Sequence, residues 1–226
     1  MRILTFDTSL DKMYITLSLE GKVIDSRIVE NSKEKYHSAY LIPSIVEILK
    51  QKSLTMQDIS AIGVNIGPGS FTGIRAGVTV ARVIGQSLNI PVAGVPSLEI
   101  ISRINDTQKP SLCMMDARKN MVYTAKYDNM GNVLLKPQSL GLEDAIDIAK
   151  NDEYFIITDN KMHQLLAGLG IESINYQQEN YDFGQNLAEL TYKRLKQAND
   201  GEYNWYNCKP LYIQPPPITM PKAVKV

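Results

Sequence analysis

Histidine and cysteine are scarce, with two of each in 226 residues. Cys113 and Cys208 make no disulfide framework for a secreted mini-fold, and no CxxC or Cys/His cluster could hold structural zinc. His37 and His163 lie far apart, and neither has a second His at i+3 or i+4. A two-His metal site is therefore not encoded locally, and each reads as a surface or helix-end residue. An excess of one charge is also missing: 24 Lys+Arg balance 24 Asp+Glu, and neither half of the chain is a basic or acidic tail. That argues against a dedicated nucleic-acid binder. Long apolar runs are absent too. The least charged region, 54–98, is broken by Gly67, Pro68, Gly69, Pro91 and Pro96, and the start reaches Asp7 before a signal-like stretch can develop. The expectation is a cytoplasmic protein without membrane contact. At 44% hydrophobic and 21% charged, the chain has ordinary globular composition.

Alternation at Ile3–Thr8, Tyr14–Leu19 and Val23–Val29, with turns at Ser9–Asp11 and Glu20–Lys22, predicts an antiparallel meander. The period then lengthens. Leu41, Ile42, Ile45, Val46, Ile48 and Leu49 recur at three- and four-residue steps, predicting a helix over about Tyr36–Gln51. Pro43 moves its expected start toward Ala39. Ile59–Ile66 reads as a buried parallel strand, followed by a helix ending near Leu88 and a short strand over Ile90–Val95. The second half repeats this order. Strands are expected at Ser111–Asp116, Met121–Tyr127, Asn132–Leu135 and Tyr154–Thr158, and helices at Leu142–Lys150, Lys161–Gly168 and Phe183–Gln197.

The strongest motif is Gly67-Pro68-Gly69-Ser70-Phe71-Thr72-Gly73 between a strand and a helix. Free N–H groups and the helix dipole favour an anion there. The Walker A and dinucleotide patterns both fail: no Lys-Ser/Thr follows the last Gly, and the spacing is GxGxxxG. A tight turn with Ser70 or Thr72 as N-cap is the simpler reading, ahead of phosphate binding. Gly73, Gly77, Ala81 and Gly85 then form a ridge almost without side chains, suited to close packing by the protein's own sheet or by a helix of another subunit. Arg75, in the first turn, is either a surface charge or the partner of an acidic group. Asp7-Thr8-Ser9 has the composition of a tight turn but also of a phosphate- or metal-holding strand end, and the turn reading is preferred. For Asp116-Ala117-Arg118-Lys119 a structural role is expected.

Together, Leu4–Ser9, His37-Ser38-Ala39-Tyr40-Leu41-Ile42-Pro43 and Ile66–Arg75 resemble the TsaB (YeaZ) family. Asp116–Tyr123 is similar to that family's DAR…VY stretch, and Pro210-Leu211-Tyr212-Ile213 to its C-terminal P-x-Y-L. The resemblance is dense over 59–99 and thins beyond 127. It implies an α/β fold of two ribonuclease-H-like (actin, sugar-kinase and Hsp70-like) domains with mixed sheets, β-β-β-α-β-α repeated. The implied divisions are 1–103, 104–213 and a Pro-rich tail over 214–226. It also implies a catalytically inactive subunit that binds and activates a TsaD-type threonylcarbamoyltransferase in forming N6-threonylcarbamoyladenosine on tRNA. A TsaE-type ATPase joins the pair, a homodimer forms without the partner, and tRNA is met only through the complex. No cofactor is implied for this chain, since ATP and metal belong to the partner subunits. The implied partner-binding helices carry His37, Leu41, Ile42, Ile45, Gly73, Ile74, Gly77, Val78, Ala81 and Arg82. Gly67–Gly73 with Arg75 is the family signature loop, and Asp7, Thr8 and Ser9 are a vestigial phosphate loop. The alternative is a stand-alone nucleotide- or metal-dependent hydrolase built on Asp7 and the glycine loop.

Overall fold

A computed structural model describes residues 1–30, 37–178, 180–199 and 201–214, with only the backbone of His37 and Ser38. The alternating segments form β1 (Arg2–Asp7), β2 (Lys12–Leu19) and β3 (Lys22–Glu30), the expected antiparallel meander. After α1 (His37–Gln51), the apolar strand β4 (Ala61–Gly67) pairs parallel to β1. Helix α2 (Phe71–Leu88), strand β5 (Val92–Pro96), parallel to β4, and helix α3 (Ser97–Ser102) complete the half. The second half runs β6 (Ser111–Asp116), β7 (Met121–Tyr127), β8 (Val133–Gly141), α4 (Leu142–Ala149), β9 (Phe155–Thr158), α5 (Asn160–Gly168), β10 (Ile174–Asn175) and α6 (Phe183–Gln197). The two sheets have matching orders, β3-β2-β1-β4-β5 and β8-β7-β6-β9-β10. The repeat expected from element order is present strand for strand.

Sequence and structure differ in three places. Helix α3 and strand β10 were not expected, and β8 continues to Gly141 rather than stopping at Leu135. Pro137 is tolerated inside β8 because that strand pairs on one side only, with β7, so its missing N–H breaks no ladder on the free edge.

Three apolar clusters hold the layers. Leu41, Ile45 and Ile48 of α1 and Ile74, Val78 and Ala81 of α2 pack on one face of the first sheet. Met162 and Leu166 of α5 and Ala145 of α4 cover the outer face of the second. Between the sheets, Leu98, Ile100 and Ile101 of α3 meet Phe183, Leu187 and Leu190 of α6, with Phe183 edge-on to Tyr14 and Tyr176. Each such buried side chain contributes about 1.5–3 kcal/mol. Helix α6, though drawn from the second half, lies across the first sheet. It comes so close that a Cβ at Gly184 would sit 2.2 Å from Thr16 Oγ1, and one at Gly63 2.1 Å from Thr191 Oγ1. Arg194 of α6 donates to the Gly94 carbonyl of β5 at 3.0 Å and pairs with Glu99 of α3. Gln214 donates to Ser139 on β8 at 2.8 Å; the Pro-rich segment 215–226 lies outside the described residues. Among the described residues no helix is long and apolar enough to cross a membrane.

Candidate functional site

The signature loop and the end of β1 form one closed hydrogen-bond network. Asp7, fully buried, accepts at Oδ1 from Ser9 N (2.7 Å) and Ser9 Oγ (2.8 Å), and at Oδ2 from Asn65 Nδ2 (2.8 Å). Asn65 Oδ1 in turn accepts from Gly67 N and from Ser97 Oγ, both at 2.8 Å. Thr8 Oγ1 donates to the Gly73 carbonyl at 2.6 Å, and Ser70 N donates to the Ser9 carbonyl at 2.8 Å. Ser70 is the N-cap of α2, its side chain accepting from Gly73 N at 3.3 Å. The loop also needs backbone freedom, with Gly67 at φ +104° and Gly69 at φ +158°. Burial pushes the Asp7 carboxyl above its ordinary value, and the bonds from Asn65 and Ser9 pull it partly back.

This pairing of donors and acceptors yields a reciprocal prediction. Asp7→Asn sets an amide donor against the Asn65 amide, and Asn65→Asp sets two carboxylates together. Each single change should cost about 2 kcal/mol or more in denaturant unfolding, whereas the double exchange restores every donor–acceptor pair and should recover most of the loss. Two additive losses would refute the network. Because the folded value of Asp7 is raised, the stability it contributes is complete below the unfolded carboxylate value and falls as pH rises through the folded value. That acid-side slope should vanish in Asp7→Asn.

The small-residue ridge points inward. A Cβ at Gly73 would lie 1.8 Å from the Thr8 carbonyl oxygen, at Gly77 2.8 Å from Thr8 Oγ1, and at Gly85 2.3 Å from Val92 Cγ2. Leu41, Ile45, Ile74, Val78 and Ala81 are likewise buried in the first core. These positions, with Gly73 and Gly77, therefore hold the helices to their own sheet and leave no side chain for a partner; they are corrected to core residues. Arg82 is half-buried and lies against Trp205, its guanidinium carbon 5.9 Å from the ring centre. The side chain of His37 lies outside the described residues. Ile42 remains, 48% exposed, with Val46 at 57% and Val83 at 56%, which the sequence reading did not single out as contacts. Glu47 on the opposite flank of α1 pairs with Arg27 of β3, so Ile42 and Val46 lie on the flank toward α2. With Ala39, Pro43, Thr72, Ala76 and Thr79 they form an uncharged outer face on the α1–α2 layer.

A family model described as "TsaD: tRNA N6-adenosine threonylcarbamoyltransferase" matches residues 24–213. The tRNA threonylcarbamoyladenosine biosynthesis protein TsaB of Bacillus subtilis (strain 168) is 34% identical over 172 residues, which cover 73% of this chain and 74% of that protein. The chain belongs to the TsaB (YeaZ) family. A TsaB from Buchnera aphidicola subsp. Schizaphis graminum is 33% identical over 128 residues, 55% of this chain and 60% of that one. YeaZ from Pseudomonas aeruginosa superposes with a TM-score of 0.73 at 20% identity, over 93% of this chain and 99% of that one. Component A of the (R)-2-hydroxyglutaryl-CoA dehydratase of Acidaminococcus fermentans does so with a TM-score of 0.51 at 10% identity, over 85% and 98%. The fold is thus that of two ribonuclease-H-like domains of the actin-like group, in agreement with the doubled order.

Nucleotide binding in that fold group tests the remaining candidates. In this TsaB-family chain the donors a phosphate would need at the first strand end are spent: Ser9 N and Leu10 N on Asp7, Thr8 Oγ1 on Gly73, and Ser70 N on Ser9. A phosphate does not fit there without breaking the network. In the second half, Asp116 accepts from Lys161 Nζ at 2.8 Å, and Asp116 N donates to Asp159 at 2.6 Å. Arg118, Lys119 and Asn120 make the turn with φ of +61°, +50° and +57°, so this stretch builds a tight hairpin. His163 Nδ1 meets Ser173 Oγ at 2.9 Å. Among the described residues no three of His, Cys, Asp and Glu converge to hold a metal. Both cysteines are free and buried, and burial pushes the Cys208 thiol up to about 11 and the Cys113 thiol further, which makes neither a nucleophile at neutral pH.

Proposed function

We propose that this chain is the non-catalytic subunit that binds and activates a TsaD-type threonylcarbamoyltransferase in forming N6-threonylcarbamoyladenosine on tRNA. The observation that carries the reading is the uncharged, partly apolar outer face of α1–α2, in a family whose curated members are named for that biosynthesis. Depletion of charge at the centre of a contact patch is what distinguishes an interface core from ordinary surface. The spent donors around Asp7 favour a supporting subunit over the alternative, a stand-alone nucleotide- or metal-dependent hydrolase. ATP and metal then belong to the partners, a TsaE-type ATPase joins the pair, and tRNA is engaged by the complex. A second copy of the chain covers the same face when the transferase is absent. The test is to mix the purified chain with a TsaD-type subunit, follow assembly by size exclusion, and titrate the free chain with ATP and magnesium in a calorimeter. Assembly with no heat from nucleotide is expected; saturable nucleotide binding near 1:1 without assembly would reverse the assignment.

A further inference from the structure

The zero net charge of the chain hides a local asymmetry. Residues 59–98 and 203–226 contain Arg75, Arg82, Lys209, Lys222 and Lys225 and not one Asp or Glu. The structure brings the described parts of these two segments together along the flank of α2 facing away from α1. Phe71 and Tyr212 pair at 5.5 Å, with the Arg75 guanidinium 4.7 Å from the Phe71 ring centre. Two turns further along α2, Arg82 lies on Trp205, which meets Tyr206 edge-on at 5.6 Å. The C-terminal segment is fixed in this place by the bond from Leu211 N to the Ile66 carbonyl, 2.8 Å. Phe71, Tyr206 and Tyr212 stay about half exposed. Among the described residues, Arg75, Arg82 and Lys209 have no carboxylate within ion-pair distance. The nearest acid in sequence, Glu202, accepts from Asn199 N instead.

We infer that this aromatic and cationic strip is an RNA-contacting surface that takes unpaired bases on its rings and phosphates on its cations. Half-exposed rings interleaved with free cations match single-stranded RNA, since bases stack on aromatic faces and on Arg planes irrespective of sequence. An acidic protein segment would use the cations but leave the rings idle. With so few cations the strip is weak alone, in keeping with the neutral composition, and acts where a larger assembly already holds the RNA. The inference rests on the proposed role in tRNA modification, but it uses a different flank of α2 from the outer face assigned to the partner.

The test uses the full chain, alone and assembled with a TsaD-type subunit, titrated into a fluorescein-labelled tRNA anticodon stem-loop at two salt concentrations. Size exclusion reports assembly in parallel. Phe71→Ala with Tyr212→Ala should weaken RNA binding by the complex about tenfold or more with an unchanged salt slope. Arg75→Gln with Lys209→Gln should lower the slope by about one. Both pairs should assemble with the partner as the parent does. Unchanged RNA affinity in both pairs overturns the inference; so does loss of assembly with intact RNA binding, which would make the strip a protein contact. If the parent chain does not assemble at all, the functional reading fails separately. The strip is then judged on the free chain, where RNA binding weaker than about 0.1 mM, the weak end of non-specific binding, overturns it.

Discussion

Replacing Ile42 and Val83 together by Asp should abolish assembly with the TsaD-type subunit while leaving the chain folded. Both side chains are about half exposed on the outer face of the α1–α2 layer, so the change removes little from the core and should cost about 1 kcal/mol or less in unfolding. In a buried contact the same two carboxylates would lose their water without gaining a partner, a penalty of several kcal/mol. The affinity should therefore fall at least about a hundredfold. Leu41→Ala is the informative contrast. It empties a site in the first core and should cost about 2–5 kcal/mol of stability, with assembly weakened only through unfolding. Unfolding midpoints and size-exclusion profiles of the two variants separate surface from support. An aspartate pair that assembles as tightly as the parent would place the contact elsewhere.

Gly73→Ala should be the most damaging single methyl in the protein. The added Cβ would stand 1.8 Å from the Thr8 carbonyl oxygen and 2.8 Å from its carbonyl carbon, and a backbone carbonyl at the end of β1 has no rotamer by which to escape. The 2.6 Å bond from Thr8 Oγ1 to the Gly73 carbonyl braces the same two segments and would have to lengthen. A loss of about 3 kcal/mol, at the upper end for overpacking, is expected, or roughly 10 °C in Tm. Gly77→Ala should be milder, because its closest neighbour is the Thr8 hydroxyl, 2.8 Å from the added Cβ, and Ala regains helix propensity. Gly168→Ala meets nothing within 4 Å at the end of α5 and should stabilise by up to about 1 kcal/mol. Thermal melts of the three variants should rank in that order; a neutral Gly73→Ala would mean that helix and strand are not braced as described.

The sequence carried most of the architecture because its periods were clean. Alternation marked the meander, three- and four-residue steps marked α1, and Ser111–Asp116, Met121–Tyr127 and Phe183–Gln197 coincide with β6, β7 and α6. Helix α3 escaped because its six residues follow Pro96 too closely to complete two turns of pattern, and β10 because two residues have no period. The direction of the glycine ridge was not legible either. Four-residue spacing identifies a face of a helix but not what covers it, and only the proximity of Thr8 and Val92 decides that the cover is internal. The Asp7–Asn65–Ser97 chain was equally hidden, since it joins residues from three strand ends far apart in sequence. A paired acid and amide at successive strand ends is the signal that could have suggested it.

The path of α6 bears on how the chain is made. The first sheet is complete by Pro96, yet one of its faces is covered by residues 183–197. During synthesis the N-terminal half therefore emerges with that face bare, carrying the close-packing positions Gly63 and Thr16 that only α6 can fill. Unlike domains that finish folding in order of appearance, this half waits for nearly the whole remainder of the polypeptide. A nascent chain stalled before α6 has left the ribosome should be an open sheet, sticky on one side and a natural client for a holding chaperone.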